Sequence, residues 1–169
     1  MKTLKHGFEP VFNPESEVLI LGSFPSVKSR EVEFYYGNRQ NRFWRTLCGY
    51  FNSEIPESTA KKIEFLLKNK VALWDIVTEC EIEGSKDDTI KNYAVANLEE
   101  ILSAAKIKLI ILNGGTAFNI FEKAYKGIEV DYVKLPSTSP ANTRFDENLW
   151  INALDSVFKK QNDIQSVDR

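Results

Sequence analysis

The sequence is poor in the side chains that hold metal ions. It has two cysteines, Cys48 and Cys80, and a single histidine, His6. Two cysteines so far apart cannot by themselves form a four-cysteine zinc or iron–sulfur site, so we predict no metal. A lone histidine near an expected flexible start argues against any histidine-based catalytic triad. Cys80 has no histidine beside it in sequence to activate it and is predicted to be structural.

Long apolar runs and a strong net charge are also missing. No stretch approaches the roughly 20 apolar residues of a membrane helix. Residues 1–6 carry two lysines without an apolar run behind them, so we expect neither a membrane span nor a signal peptide. Two reduced thiols are typical of a cytoplasmic protein. The formal net charge of −2 gives no overall case for nucleic-acid binding, which must therefore rest on a local patch.

The sequence does contain an alternation of apolar strands and amphipathic helices. Its 169 residues predict one domain over 1–169, with a core at about 18–158. Strands are predicted over 18–21, 71–77, 108–112 and 130–135, and helices over 41–51, from 58, over 98–104, from 116 and over 147–160. The polar, aromatic stretch 24–40 is predicted to be a long loop. This alternation favours an α/β fold with a parallel sheet covered on both faces.

Four polar segments fall at the carboxyl ends of the predicted strands, where such folds bind ligands. They are residues 22–26, 74–78, 113–115 and 136–142. In the first, Gly-Ser-Phe-Pro-Ser lets backbone amides turn toward a bound group. Tyr35 and Tyr36 follow in a polar loop and could stack on a base. A tight turn followed by a hairpin tip packed on the core is an equally good interpretation.

The other three segments each carry a candidate and an ordinary alternative. Asp75 lies at an apolar strand end, where a carboxylate is costly unless it is paired or takes part in a site. It either belongs to a site, or caps a loop, or pairs with an arginine such as Arg42. Asn113 can both donate to and accept from a base edge, although Asn-Gly-Gly also suits a plain strand-to-helix turn. Residues 136–142 could contact a phosphate backbone or push a small wedge into a helix, although an ordinary solvated loop is the alternative.

Residues 28–45 carry the local patch that nucleic-acid binding requires. Five basic residues lie there among five aromatic ones: Lys28, Arg30, Arg39, Arg42 and Arg45, with Phe34, Tyr35, Tyr36, Phe43 and Trp44. The pattern suits phosphate contacts beside base stacking. An ordinary charged surface is the alternative.

Taken together, the segments resemble the uracil-DNA glycosylase superfamily. Val-Leu-Ile-Leu-Gly-Ser-Phe-Pro-Ser at 18–26 and Asn-Arg-Phe-Trp at 41–44 are similar to the mismatch-specific uracil- and thymine-DNA glycosylases. Those enzymes have a Gly-Ile-Asn-Pro-Gly motif whose asparagine positions the attacking water; Phe24 stands at that position here. Residues 72–77, 80–81, 84–85 and 135–142 resemble the hypoxanthine-DNA glycosylases, also called DNA-deoxyinosine glycosylases. The resemblance spans about residues 18–158.

The resemblance implies a three-layer α/β/α sandwich with a four-stranded parallel sheet. It implies a monofunctional enzyme that flips a deaminated base out of DNA and hydrolyses its N-glycosidic bond. The expected base is hypoxanthine, the expected partner is DNA containing a damaged base, and we expect a monomer without a cofactor. A uracil or xanthine glycosylase, or a non-catalytic nucleotide-binding module using residues 113–116 for a phosphate, are the alternatives.

The resemblance also implies roles for individual residues. With Phe24 replacing the usual asparagine, Asn41 is the first candidate for holding the water or the leaving base. Tyr36 aligns with the stacking position, and Asp75 is the candidate base reader. The full predicted set is catalytic Asn41, Asp75 and Asn113; base-binding Ser23, Phe24, Tyr36, Asp75 and Asn113; and DNA-binding Lys28, Arg30, Arg39, Ser137, Thr138, Ser139 and Asn142.

Overall fold

The computed structural model describes residues 2–167, with side chains described through residue 159. Its strands are β1 (Thr3–Lys5), β2 (Val18–Gly22), β3 (Val71–Asp75), β4 (Val77–Glu83), β5 (Lys86–Val95), β6 (Leu109–Asn113) and β7 (Asp131–Leu135). Its helices are α1 (Val27–Val32), α2 (Phe43–Tyr50), α3 (Thr59–Lys68), α4 (Glu99–Ala104), α5 (Gly115–Tyr125) and α6 (Glu147–Val167). Within residues 2–167 no helix is long and apolar enough to cross a bilayer.

The predicted four-stranded parallel sheet is present, with strand order β3-β2-β6-β7. Every residue of the central strands β2 and β6 is buried. Since side chains alternate along a strand, Val18 and Ile20 pack with α2, α3 and α6, whereas Leu19 and Leu21 pack with α4 and α5. The predicted three-layer sandwich is therefore confirmed.

A second, antiparallel sheet was not predicted. Its strand order is β1-β4-β5. The single strand predicted over 71–77 divides at Ile76, whose N–H donates to the Gly22 carbonyl at 2.8 Å. Beyond this residue the chain leaves the parallel sheet and enters β4. Because β1 pairs with β4, from Thr3 opposite Glu81 to Lys5 opposite Glu79, residues 3–5 are held in the fold rather than flexible.

Three predicted boundaries are also corrected. The loop predicted over 24–40 contains the short helix α1, because the Ser26 side chain caps it by accepting from the Ser29 N–H. Helix α2 begins at Phe43 with Arg42 at its N-cap, one residue after the predicted cap Asn41. The backbone of α6 continues to Val167, past the predicted end at residue 160.

Candidate active site

A cavity of about 660 Å³ lies where the parallel strands end. This volume is within the range of ordinary small-ligand sites. Ten of the predicted site residues line it: Ser23, Phe24, Tyr36, Asn41, Asp75, Asn113, Ser137, Thr138, Ser139 and Asn142. They come together because β2, β3 and β6 are parallel, so their carboxyl ends share one edge of the sheet. The predicted convergence at this edge is therefore present in the structure.

Asp75 lies across the end of β2 and fits there only because residue 22 is glycine. A Cβ on Gly22 would lie 2.4 Å from Asp75 Oδ1 and 2.8 Å from the Tyr36 hydroxyl oxygen. Any side chain at this position would displace both groups. The N–H of Val77 donates to the Ser23 carbonyl at 3.0 Å and holds the two strand ends together.

The partner of Asp75 is His6, not Arg42. His6 Nε2 lies 2.8 Å from Asp75 Oδ2, and only 4% and 6% of the two side chains are exposed. His6 Nδ1 is buried and accepts or donates no hydrogen bond among the described residues. Because a carboxylate oxygen can only accept, the hydrogen of this bond is on Nε2. His6 then donates to Oδ2, and Oδ1 is left for the pocket.

The expected flexible start is thus wrong for His6 in particular. Its ring contacts Phe8, Phe24 and Tyr35, with ring centroids 4.6, 6.2 and 5.7 Å away. The pairing of β1 with β4 carries the histidine into this aromatic cage, behind the pocket wall. Histidine still forms no catalytic triad here, but it does fix a carboxylate.

The two neighbouring tyrosines have different environments. Tyr35 is 2% exposed, and its hydroxyl donates to the Glu9 carbonyl, so it belongs to the core rather than to a stacking surface. Tyr36 adopts a left-handed φ of 54° and lines the pocket. Its ring stacks on Phe43 at a centroid distance of 4.1 Å. Burial, with the nearby charge of Asp75, raises the pKa of Tyr36, so its hydroxyl stays protonated.

Asn113 joins three parts of the site. Its Nδ2 donates to the Tyr36 hydroxyl at 3.1 Å and to Thr138 Oγ1 at 3.0 Å, and its Oδ1 accepts from the Thr138 N–H. Both amide hydrogens are therefore engaged. This arrangement favours a supporting role for Asn113, and its predicted role as a base or water ligand stays a prediction.

Asn41 also caps the chain ahead of α2. Its Oδ1 accepts from the Phe43 N–H at 2.9 Å, which satisfies a donor at the start of the helix. Its Nδ2 donates to no group in the part of the chain that the structure describes. Since Asn41 lines the pocket, this amide is a free donor there.

The loop 136–142 is held rigidly at the pocket mouth. Nη1 of Arg42 donates to the carbonyls of Ser139 and Asn142, and Asn142 Nδ2 donates to the Ser137 carbonyl. Thr138 is only 1% exposed, so its side chain supports the loop and its predicted contact with DNA finds no support in this geometry. Ser137, Ser139 and Asn142 are half-buried and face the mouth.

Sequence reasoning missed the turn between β4 and β5, which forms another wall of the pocket. Asp87 enters the pocket there, and Ser23 Oγ donates to its Oδ2 at 2.6 Å. The turn is anchored to α1, because the Val27 N–H donates to Ser85 Oγ and Arg30 Nη2 donates to the Gly84 carbonyl. Within residues 77–83, the apolar Cys80 and Ile82 alternate with polar residues. This alternation is the one signal in the sequence for a strand with one buried and one exposed face.

The chain matches known proteins over most of its length. Residues 9–159 match the uracil DNA glycosylase superfamily. The chain belongs to this superfamily. It is 37% identical over 150 residues to a protein of Methanosarcina acetivorans named hypoxanthine DNA glycosylase, covering 86% of this chain and 92% of that one. A protein of the same name from Methanosarcina barkeri is 34% identical over 143 residues, covering 83% and 89%.

A solved structure of the same superfamily is also similar. The solution NMR structure of a candidate uracil DNA glycosylase from Methanosarcina acetivorans matches with a TM-score of 0.78 and 33% sequence identity. The match covers 89% of this chain and 96% of that one. The superfamily predicted from the sequence is confirmed, and both curated relatives carry the name of the predicted branch.

The basic residues predicted to bind DNA in this superfamily member differ in their surroundings. Arg30 is bonded to Gly84 and lies over the Phe24 ring at 5.7 Å, so it supports the pocket wall. Lys28 pairs loosely with Glu31 at 3.6 Å on the surface. Arg39 is exposed and forms no ion pair among the described residues. Of the three, Arg39 is therefore the best candidate for contact with a DNA phosphate.

The alternative phosphate site at residues 113–116 lacks one of its backbone donors. The N–H of Gly114 is not available to an anion, because it donates to the carbonyls of Leu112 and Leu135 at 3.1 and 3.0 Å. Gly114 has a φ of 98°, and a Cβ there would lie 3.1 Å from Ser137 Cβ. The close approach of the loop therefore explains why residue 114 is a glycine.

Proposed function

We propose that the protein releases hypoxanthine from deoxyinosine in DNA by hydrolysing the N-glycosidic bond. The observation that carries the proposal is the buried Asp75 carboxylate, held by His6 at the wall of a pocket large enough for a base. The names of the two curated relatives support the same substrate. Because the base of a duplex is stacked, it must be flipped out before it can enter this pocket.

Asp75 suits hypoxanthine for a reason of hydrogen bonding. Hypoxanthine carries a hydrogen on N1, whereas adenine has a lone pair there. A carboxylate oxygen can only accept. With Oδ2 engaged by His6, Oδ1 would accept from N1–H of hypoxanthine and would repel the N1 lone pair of adenine. The site therefore selects the deaminated base over its abundant parent.

Bond cleavage proceeds through a sugar cation, as in other glycoside hydrolysis. Asn41 supplies the free donor, through Nδ2, for the attacking water or the leaving base. Tyr36 supplies the face on which the flipped base stacks, because its other face lies on Phe43. Arg39 and the loop residues Ser137, Ser139 and Asn142 contact the DNA strand around the lesion.

The decisive experiment is excision from duplexes that each contain one lesion. Deoxyinosine, deoxyuridine opposite guanine, and deoxyxanthosine are incubated with the protein, and abasic sites are revealed by alkaline cleavage. We expect hypoxanthine to be released fastest. Faster release of uracil would place the protein with the mismatch-specific enzymes. No cleavage of any duplex, together with tight binding of a free nucleotide, would make it a binding module.

Tyr36→Ala should slow hypoxanthine release by roughly tenfold or more, because base–aromatic stacking is worth about 1–3 kcal/mol. Tyr36→Phe keeps the ring and should retain most of the activity, losing only the bond to Asn113. Single-turnover rates of the two variants give the comparison, and thermal unfolding checks their stability. A folded alanine variant with normal rates would show that the base does not stack on Tyr36.

A further inference from the structure

The pocket contains a second carboxyl group, on a wall that belongs to a different sheet from the one carrying Asp75. Asp75 ends β3, whereas Asp87 lies at the start of β5, in the other sheet. Both line the same cavity. Ser23 Oγ donates to Asp87 Oδ2 at 2.6 Å, and the bonds from Val27 and Arg30 fix the turn that presents it. Asp87 is thus as firmly placed as Asp75.

The two carboxyl groups differ in how their charge is compensated. Asp75 accepts from His6, but Asp87 forms no ion pair with a basic side chain among the described residues. Burial, and then the charges of Asp75 and Asp88, raise the pKa of Asp87 although the bond from Ser23 lowers it. The other titratable groups near it are Cys80 on β4 and Tyr36, and burial raises the pKa of both. Two cations also lie close: Lys86, which lines the pocket and pairs with Glu83, and Arg30, which donates to the Gly84 carbonyl. Neither forms an ion pair with Asp87 among the described residues.

We propose that Asp87 is the general acid of the reaction and protonates the leaving purine at N7. This inference rests on the proposed function, since it needs a purine in the pocket with N1–H on Asp75. N7 lies on the edge of the purine that continues from N1 through the six-position oxygen. Asp75 can only accept, so a hydrogen for N7 must come from another group, and Asp87 is the carboxyl group on the second wall of the cavity.

The step balances without any further reactant. The Asp87 carboxyl gives its hydrogen to N7 while the bond between C1′ and N9 breaks, and the bond electrons stay on N9. The purine leaves as a neutral molecule. Water adds its oxygen to C1′ and releases a proton to solvent, from which the Asp87 carboxylate is reprotonated. The products are free hypoxanthine and an abasic site.

The geometry gives the two carboxyl groups different tasks. A general acid works best when its pKa is close to the working pH, and burial together with neighbouring carboxylates raises the pKa of such a group. In the proposed step the Asp87 carboxyl donates its hydrogen and Asp75 accepts. Uracil has no atom corresponding to N7, so this assistance is available to purines only.

The test compares Asp87→Asn with wild type in single-turnover release of hypoxanthine across pH. At pH 7 the variant should be slower by roughly a hundredfold, within the range that general acids contribute. Wild-type activity should fall as the pH rises through the raised pKa of Asp87, because only the protonated form donates. The variant should lack this falling limb. Asp131→Asn, the same change at the exposed far end of β7, is the matched control and should behave as wild type.

A second substrate tests the atom on which Asp87 acts. The substrate carries a carbon in place of N7 of hypoxanthine. On it, wild type should be about as slow as Asp87→Asn is on natural hypoxanthine. The rate of Asp87→Asn should fall little further when N7 is removed. Near-normal rates of Asp87→Asn at pH 7, or a falling limb that persists in it, would overturn the proposal. So would a wild-type enzyme that ignores the loss of N7. If wild type released no hypoxanthine, the proposed function itself would fail, which is a different result.

Discussion

Asp75→Asn should slow hypoxanthine release by at least about a hundredfold, since sites built around a buried polar group reject mismatched partners by large factors. It should also reduce the preference for hypoxanthine over adenine. His6 donates from Nε2, so the new side chain turns its carbonyl toward His6 and its NH₂ toward the pocket. That NH₂ would meet N1–H of hypoxanthine donor to donor, but it could donate to the N1 lone pair of adenine.

The alternative orientation of the new asparagine is unfavourable. It would require His6 to carry its hydrogen on Nδ1, which is buried without a partner among the described residues. An unsatisfied buried donor costs about 1–3 kcal/mol. The NH₂ of the new asparagine is therefore expected to face the pocket, and the rate of adenine excision relative to that of hypoxanthine should rise.

The measurement is the ratio of single-turnover rates on otherwise identical duplexes containing deoxyinosine or deoxyadenosine. Asp131→Asn again serves as the control for the loss of one negative charge. A lower rate with an unchanged ratio would mean that Asp75 acts on water or on structure and that the base is read elsewhere, with Asn113 the next candidate. An unchanged rate would remove Asp75 from the reaction altogether.

The sequence was sufficient to predict the parallel sheet and the edge at which the site lies. Runs such as 18–21 and 109–112 are apolar throughout, which is typical of strands buried on both faces. Once these strands are parallel, Gly22, Asp75 and Asn113 must end at one edge. The site residues predicted from that edge line a single cavity for this reason.

The antiparallel sheet could not be predicted in the same way. Strand β5 is mostly exposed and rich in charge, and a left-handed φ of 51° at Asn92, with register shifts against β4, interrupts its alternation. Strand β1 has only three residues and depends on pairing with β4, far along the chain. His6 reaches Asp75, and Asp87 reaches the pocket, only through these pairings. Their contribution to the site therefore has no local signal in the sequence.

The partner of Asp75 illustrates the same limit. Arg42 was a reasonable partner from sequence, being the basic residue of a motif expected nearby. In the structure the guanidinium instead binds two loop carbonyls and lies 5.1 Å from the Phe145 ring centre. A planar group with several donors is well suited to hold a loop of free carbonyls. Which acceptor it meets depends on tertiary packing.

Substitution of Asn41 should separate its two roles, because the cap and the free donor are different atoms. Asn41→Asp keeps an oxygen that accepts from the Phe43 N–H, so the start of α2 should remain as stable as in wild type. Asn41→Ala removes that acceptor and should lower the free energy of unfolding by about 1 kcal/mol. Both variants lose the Nδ2 donor, and each should release hypoxanthine about a hundredfold more slowly, the effect expected when one positioned donor is removed.

Denaturant unfolding and single-turnover rates, measured on the same preparations, give the two readouts. A stable Asn41→Asp with normal activity would show that Asn41 is only a cap, and the water or leaving base would then have to be held by another group of the pocket.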